Sequence, residues 1–336
     1  MPIQKYVVSK DPTIYEAWPD LIQTNSGKLI CVFTECETHG IRENARIMIT
    51  ESTDRGRTWS PKKPLTEKTR HDYSFNCSRI SKLRDGSLRI ICDRLKIGDG
   101  TMESEIYVWE GDAEGEHWSE PTVYPFNGIV PDKFLELENG RMIIAAHTPD
   151  QEQRLIQYLW YSDDRGKTWS DAVTVASDER YHLCEASILE YGNNTLIAFL
   201  REESYEGYEM MKVISYDNGE TWSPVYKTPL DAGIRGVAGY LNDGRIMITY
   251  RFRPNRAQNL FAAFLRKEDL LKVWRQEHEI RIFPLDYDRH REPDLGYTGW
   301  TQFEDDEIYV VTYIKDDCDK AQIRGYSFYP EDVILP

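Results

Sequence analysis

Three segments of this 336-residue chain follow one pattern. Ser52-Thr53-Asp54-Arg55-Gly56-Arg57-Thr58-Trp59, Ser162-Asp163-Asp164-Arg165-Gly166-Lys167-Thr168-Trp169 and Ser215-Tyr216-Asp217-Asn218-Gly219-Glu220-Thr221-Trp222 all read S-x-D-x-G-x-T-W, each after an alternating, strand-like run. A worn fourth copy spans Asp112 to Trp118. Internal repetition restricts a fold more than composition does, because each copy must be one structural unit stacked on its neighbours. The chemistry suits a tight hairpin turn. The Asp carboxylate accepts backbone N–H groups, Gly takes a positive φ, and Trp plugs the adjoining sheet. These Asp residues are therefore read as structural rather than catalytic.

A second, more regular repeat runs through the chain. Apolar strand, polar turn, apolar strand recurs six times, with turns at Asn25-Ser26-Gly27, Arg84-Asp85-Gly86, Glu138-Asn139-Gly140, Gly192-Asn193-Asn194, Asn242-Asp243-Gly244 and Glu304-Asp305-Asp306. Successive turns lie about 50 to 60 residues apart, room for four short strands per unit. Helical periodicity is scarce, with one short candidate at Glu268 to Gln276. The spacing predicts an all-β chain, a six-bladed β-propeller of four-stranded antiparallel blades forming one domain over residues 1–336. Only short, protected sheet edges remain in such a ring. The sixth unit needs an outer strand, and Lys5-Tyr6-Val7-Val8 is placed to supply it and close the ring. A two-domain sandwich explains the spacing less well.

Composition narrows the partners. With 41 Lys+Arg against 57 Asp+Glu the net charge is −16, which argues against nucleic acid or an anionic membrane as the main ligand. Hydrophobic residues at 40% suffice for a large core. No stretch approaches the roughly 18 apolar residues of a membrane helix. The segment from Met1 to Val8 lacks a basic stretch followed by a long apolar run, so no signal peptide is expected and a cytoplasmic location is inferred. The six cysteines form no CxxC pair and read as buried free thiols. No His/Cys spacing supports a metal, and no cofactor motif is found.

The repeat also locates a mouth. In a blade the innermost strand starts, and the second strand ends, on one face. The starts fall near Trp18, Cys77, Asp132, Glu185, Arg235 and Tyr297, and the ends near Glu35, Asp93-Arg94, His147, Arg201, Arg251 and Tyr313. Charged or aromatic residues at strand ends are ordinary one at a time. As a ring around one mouth they suit a polar small-molecule pocket. His147 and His182, lone histidines on strand ends, read first as ordinary structural residues, with a pocket hydrogen bond or a general acid role as the alternative and His147 counted among the substrate-binding candidates. The charged run Asp286-Tyr287-Asp288-Arg289-His290-Arg291-Glu292 reads as a solvated loop near the rim.

The S-x-D-x-G-x-T-W copies resemble the Asp box, or BNR repeat, of the sialidase (neuraminidase)-like superfamily, and the resemblance covers essentially the whole chain. It implies a tyrosine nucleophile activated by a glutamate, a carboxylic acid/base, and three arginines gripping a substrate carboxylate. A neutral tyrosine suits an anomeric centre that already bears a carboxylate, an exception to the two-carboxylate pattern of glycosidases. On this resemblance Tyr297, in Asp294-Leu295-Gly296-Tyr297-Thr298-Gly299-Trp300, is the nucleophile. Glu185, in Cys184-Glu185-Ala186-Ser187, is its base. Arg201 is the second arginine, and Arg251 or Arg256 the third.

The chain departs from the family at two places. The first arginine belongs in an R-I-P motif, but the corresponding stretch is Ala17-Trp18-Pro19. Either Arg235, Arg79 or Arg42 is then the substitute, or the substrate is not an ordinary sialoside, and Trp18 in that place could stack on a sugar face. The acid/base aspartate is also missing from the loop Glu35-Cys36-Glu37-Thr38-His39-Gly40-Ile41-Arg42-Glu43. Asp72, Glu37 and Glu43 are replacement candidates, with Asp93 and Asp132 as others. Three functions follow: a sialidase-like exo-glycoside hydrolase acting on a terminal acidic sugar, another carbohydrate-active propeller (lyase or glycosidase), or a non-catalytic glycan binder. All three take carbohydrate and need no cofactor.

Overall fold

The computed structural model describes residues 3–40, 44–69, 73–96 and 103–333. These form six antiparallel sheets whose strands follow chain order from the axis outward, a six-bladed propeller. The first blade comprises Tyr15–Gln23, Leu29–Cys36, Arg46–Ser52 and Lys63–Pro64. In the sixth, Leu295–Gln302, Ile308–Ile314 and Gln322–Phe328 are joined by Gln4–Ser9 from the N-terminus as outermost strand. Lys5 pairs with Tyr326 and Val7 with Arg324, so the first residues lock the last blade as the repeat arithmetic requires.

Three elements differ from expectation. The second blade's inner strand is split into Tyr73–Phe75 and Arg79–Lys82, both pairing with Leu88–Lys96. The third blade's inner strand shrinks to Leu135–Glu136, because Val130 at φ 50° and Pro131, which lacks an N–H, break the ladder. The expected helix at Glu268 to Gln276 resolves into two 3-10 turns, Lys267–Leu271 and Arg275–Glu277, on the crossing to the outer strand Ile280–Tyr287.

Second strands are sandwiched between blades. Leu29–Cys36 and Thr195–Glu202 are buried at every position. That explains their continuous apolar runs, where a half-solvated strand would alternate. Cys31, Cys36, Cys77, Cys92 and Cys184 are buried and Cys318 is partly exposed, all as free thiols.

The boxed turns bond as their chemistry dictates. The Gly56 N–H donates to Ser52 Oγ at 2.8 Å, the Thr58 N–H to Asp54 Oδ1 at 2.9 Å, and Trp59 Nε1 to the Gly56 carbonyl at 3.1 Å. Gly56 is required twice over: its φ is +80°, and a Cβ there would lie 2.3 Å from the Tyr309 ring of the sixth blade. The worn copy keeps the core of the motif. Asp112 accepts three backbone N–H groups, and Trp118 Nε1 donates to the Gly115 carbonyl at 3.0 Å.

Buried charges run along the axis. Asp20 Oδ2 accepts the Ile80 N–H of the next blade at 2.9 Å and lies 3.5 Å from Arg79 Nε, while Lys133 Nζ is 3.2 Å from its other oxygen. Asp132 accepts the Ile188 N–H at 2.7 Å, again from the following blade. Arg235 donates to the Ala186 carbonyl at 2.9 Å and to the Pro131 carbonyl at 3.4 Å. Burying such groups is costly unless they are paired, and here the partners are opposite charges and backbone groups of adjacent blades, with Asp20 Oδ1, Arg79 Nε and Nη2 and Arg235 Nε left without a hydrogen bond.

Candidate active site

In five of the six blades the inner segment bends where it enters the mouth. Trp18, Val130, Glu185, Arg235 and Tyr297 all have φ between 48° and 54°. In four of these five blades the ladder register shifts there, between Ala17 and Asp20, Cys184 and Ser187, Ile234 and Val237, and Gly296 and Thr298. Left-handed backbone at a bulky residue costs on the order of 1–3 kcal/mol and is held only by its surroundings. The bend turns one side chain per blade off the ladder.

The mouth opens on a cavity of about 600 Å³ whose lining includes Trp18, His147, Glu185, Arg201, Arg251 and Tyr297. Tyr297 Oη donates to Glu185 Oε1, and Arg201 Nη1 donates to the same oxygen at 2.9 Å. The second Arg201 terminal nitrogen is taken by Glu203. Burial alone would raise the Glu185 carboxyl, but the charges of Arg201 and Arg235 outweigh it and hold it at about 2. Burial, then the Glu185 charge, pushes the Tyr297 phenol well above its ordinary value. Tyr297 is therefore a neutral phenol hydrogen-bonded to a carboxylate. Burial brings His147 down to about 4, and its Nδ1 accepts the Glu185 N–H at 3.4 Å, so it is a neutral ring behind Glu185. Glu203 is raised, burial outweighing Arg201.

The remaining expected residues lie elsewhere. Asp132 is on the axis. Arg235 is fully buried with its guanidinium carbon 5.7 Å from the centre of the Tyr297 ring, a support beneath the site rather than part of its lining. Arg94 lies outside the cavity, stacked on Tyr73 and Tyr107 and paired with Glu105 at 2.9 Å. Arg256 is exposed outside the lining, whereas Arg251 lies in it, donating to Gln258 at 3.3 Å and the Leu295 carbonyl at 3.1 Å. Arg79 is on the axis, and Asp93 accepts the buried Val130 N–H at 3.1 Å. Asp72, Glu43 and Arg42 lie outside the described residues. The run Asp286 to Glu292 is not uniformly solvated. Asp286 is buried and accepts Lys5 Nζ at 2.6 Å and Tyr326 Oη at 2.9 Å, tying in the closing strand.

Sequence reasoning passed over several lining residues: His39, Glu203, Tyr205, Arg253, Glu292, Asp294 and Lys315. Glu203 and Arg253 stand two residues beyond Arg201 and Arg251, so extending the strand-end rule by one alternation finds them. His39 and Asp294 come from loops of different blades, and no local signal joins them.

Fold and mouth together define a sialidase-like propeller, with a buried Tyr–Glu–Arg cluster facing a polar cavity. The chain belongs to the BNR repeat-like domain family, whose model matches residues 79–310. It is similar to a sialidase of Bacteroides fragilis, at 22% identity over 204 residues, 57% of this chain and 36% of that protein. The chain thus spans about a third of that relative's length. Among solved structures it resembles a protein of unknown function from Dyadobacter fermentans, with a TM-score of 0.81, 21% identity, and coverage of 97% of this chain and 98% of that one. It also resembles Trypanosoma rangeli sialidase in complex with sialic acid, with a TM-score of 0.71, 15% identity, and coverage of 96% of this chain and 58% of that one.

Proposed function

We propose that the protein is an exo-acting glycoside hydrolase that removes a terminal acidic sugar, with Tyr297 as nucleophile and Glu185 as its base. One observation carries the reading: the buried Tyr297 hydroxyl donates to the Glu185 carboxylate, which Arg201 clamps at 2.9 Å, all at the wall of one cavity. A phenol attacks an anomeric centre beside a carboxylate without the repulsion an Asp or Glu nucleophile would meet. The names of the sialidase relatives agree with an acidic sugar.

The electrostatics supply a switch. In the free site Glu185, held at about 2, is a weak base. A substrate carboxylate arriving on Arg201 displaces Glu203 and shares the guanidinium charge, so Glu185 becomes more basic as the substrate docks. Arg251 and Arg253 extend the positive side of the cavity. Trp18 lines the cavity where the resemblance places the first arginine, but with 2% of its surface exposed it leaves no open ring face on which a sugar stacks.

The test is turnover of 4-methylumbelliferyl sialosides, uronides and neutral glycosides, with mass spectrometry of the protein after treatment with a 3-fluoro sialosyl fluoride. Release of an acidic sugar and a covalent adduct on Tyr297 are expected. An unsaturated, ultraviolet-absorbing product would mark a lyase instead, and binding without turnover a glycan-binding propeller.

A further inference from the structure

Arg201 serves two carboxylates. Its Nη1 donates to Glu185 Oε1 at 2.9 Å, and its Nη2 is ion-paired with Glu203 Oε2. Glu185 also accepts the Tyr297 hydroxyl. Glu203 stands in the cavity lining with its side chain 22% exposed, on the guanidinium nitrogen that Glu185 does not use. One guanidinium against two carboxylates leaves one negative charge in excess. A third carboxylate approaching Arg201 therefore meets repulsion as well as attraction.

A strap drawn from two blades keeps Glu203 in place. The residue opens the loop after Thr195–Glu202, and its N–H donates to the His182 carbonyl at 2.9 Å. Its Oε1 accepts the Tyr205 hydroxyl. Tyr205 has φ 63°, is 68% exposed, and sets its ring 5.4 Å from the guanidinium carbon of Arg253 in the fifth blade. Left-handed backbone at a bulky residue persists only where its surroundings hold it, and this ring is held by Glu203 and Arg253. Other groups face Glu203 as well. Glu185 and the Cys184 thiol, its sulfur 3.9 Å from Glu203 Oε2, come from the inner strand of the same blade, and Arg251 from the fifth blade. Burial outweighs the Arg201 charge, and the Glu185 charge adds to burial, so the Glu203 carboxyl titrates above the ordinary glutamate range.

Building on the acidic-sugar reading above, we propose that Glu203 is the specificity-determining residue of this subsite: it stands in for the substrate carboxylate on Arg201, Tyr205 and Arg253 hold it there, and an anionic sugar enters by displacing it. Protonation of Glu203 removes the excess negative charge and releases the guanidinium nitrogen, so acid opens the subsite to anions. The linkage is reciprocal. A ligand carboxylate beside Glu203 favours its protonated form, and that form binds the ligand more tightly by the same factor, about tenfold or more for a like charge at this range. A neutral sugar is indifferent to the proton.

The experiment is calorimetric titration of wild type, Glu203→Gln and Tyr205→Phe at pH 5 and 7.5. The probes are 2,3-didehydro-2-deoxy-N-acetylneuraminic acid, an anion that needs no turnover, and its uncharged methyl ester. Wild type should bind the acid about tenfold tighter at pH 5 than at pH 7.5. Glu203→Gln should bind it about tenfold tighter than wild type at pH 7.5 and lose most of the pH dependence. Tyr205→Phe unties the strap but keeps the carboxylate, and should tighten binding at pH 7.5 by about two- to fivefold. The ester should bind equally at both pH values. The decisive variant gains affinity, which a misfolded protein does not imitate. Acid binding that is equal at both pH values in wild type, that fails to tighten in Glu203→Gln, or that keeps its pH dependence in that variant would overturn the Glu203 assignment alone. Failure of all three proteins to bind the acid at either pH would overturn the acidic-sugar reading and this inference with it.

Discussion

The two ends of the propeller are made by the same strands under opposite rules. Away from the mouth, the boxed turns repeat one set of bonds: Ser52, Ser162 and Ser215 accept the Gly N–H at 2.8, 2.8 and 2.9 Å. Asp54, Asp164 and Asp217 each accept the Thr N–H at 2.9 Å. At the mouth the blades offer different groups: Trp18 and His39 from the first, His147 from the third, Glu185 and Arg201 from the fourth, Arg251 from the fifth, Tyr297 from the sixth. Repetition marks where the backbone needs the same turn, and divergence marks where a ligand needs chemistry.

The largest effect that would break this contrast concerns the mouth. Tyr297→Phe should lower kcat by at least about 10³-fold while leaving the folded state nearly as stable, since only one hydroxyl is lost and Glu185 keeps Arg201. Steady-state kinetics beside a thermal melt decide it. Undiminished turnover would remove the chemical role from the mouth's best-defined residue.

The repeat legible in the sequence sufficed for the blade count and for the closing strand, because turn chemistry and buried-strand patterning are local. It also marked Tyr297, Glu185, Arg201 and Arg251, whose positions follow from strand ends. It did not separate mouth from axis. Asp132 and Arg235 occupy the same repeat positions as pocket residues, yet their side chains bond to backbone groups of the neighbouring blades. Nor could it join His39 to Asp294, which are 255 positions apart. That contact depends on how the ring closes, not on any spacing.

Between the two ends, the axis should respond in stability. Asp20→Ala leaves the buried Arg79 and the partly exposed Lys133 without their carboxylate and should cost about 3–5 kcal/mol in denaturant unfolding. A cost below about 1 kcal/mol would mean that the backbone partners alone satisfy the axial charges.

Acid should weaken the mouth before the turns. The unfolded chain protonates His147 near 6.5, whereas the folded chain keeps it neutral down to about 4. The unfolded state therefore binds the extra proton in that window, and stability falls as pH drops from 6.5 to 4, by about 3 kcal/mol from this group. Asp54, with hydrogen bonds to Thr58 as the main cause, sits at about 2, so its contribution is lost only as pH falls from about 4 through 2. Urea unfolding of wild type and His147→Gln at pH 6.5 and 4.5 checks this. The variant should lose less stability between the two pH values, and parallel losses would assign the acid sensitivity elsewhere.

The smallest effect tests the redundancy of the other end. In Asp217→Ala the hydroxyl of Thr221, its N–H and the Ser215 hydroxyl each lose the carboxylate. The turn, however, sits largely at the surface, where water replaces those bonds, and Gly219 keeps its bond to Ser215 at 2.9 Å and Trp222 its bond to the Gly219 carbonyl at 3.1 Å. A destabilisation of about 1 kcal/mol is expected, with kcat/KM unchanged, since the altered bonds lie at the opposite end of the strands from Arg201. A drop in activity at unchanged stability would show that the two ends are coupled through the fourth blade, and the division of labour between repeated turns and divergent mouth would no longer hold.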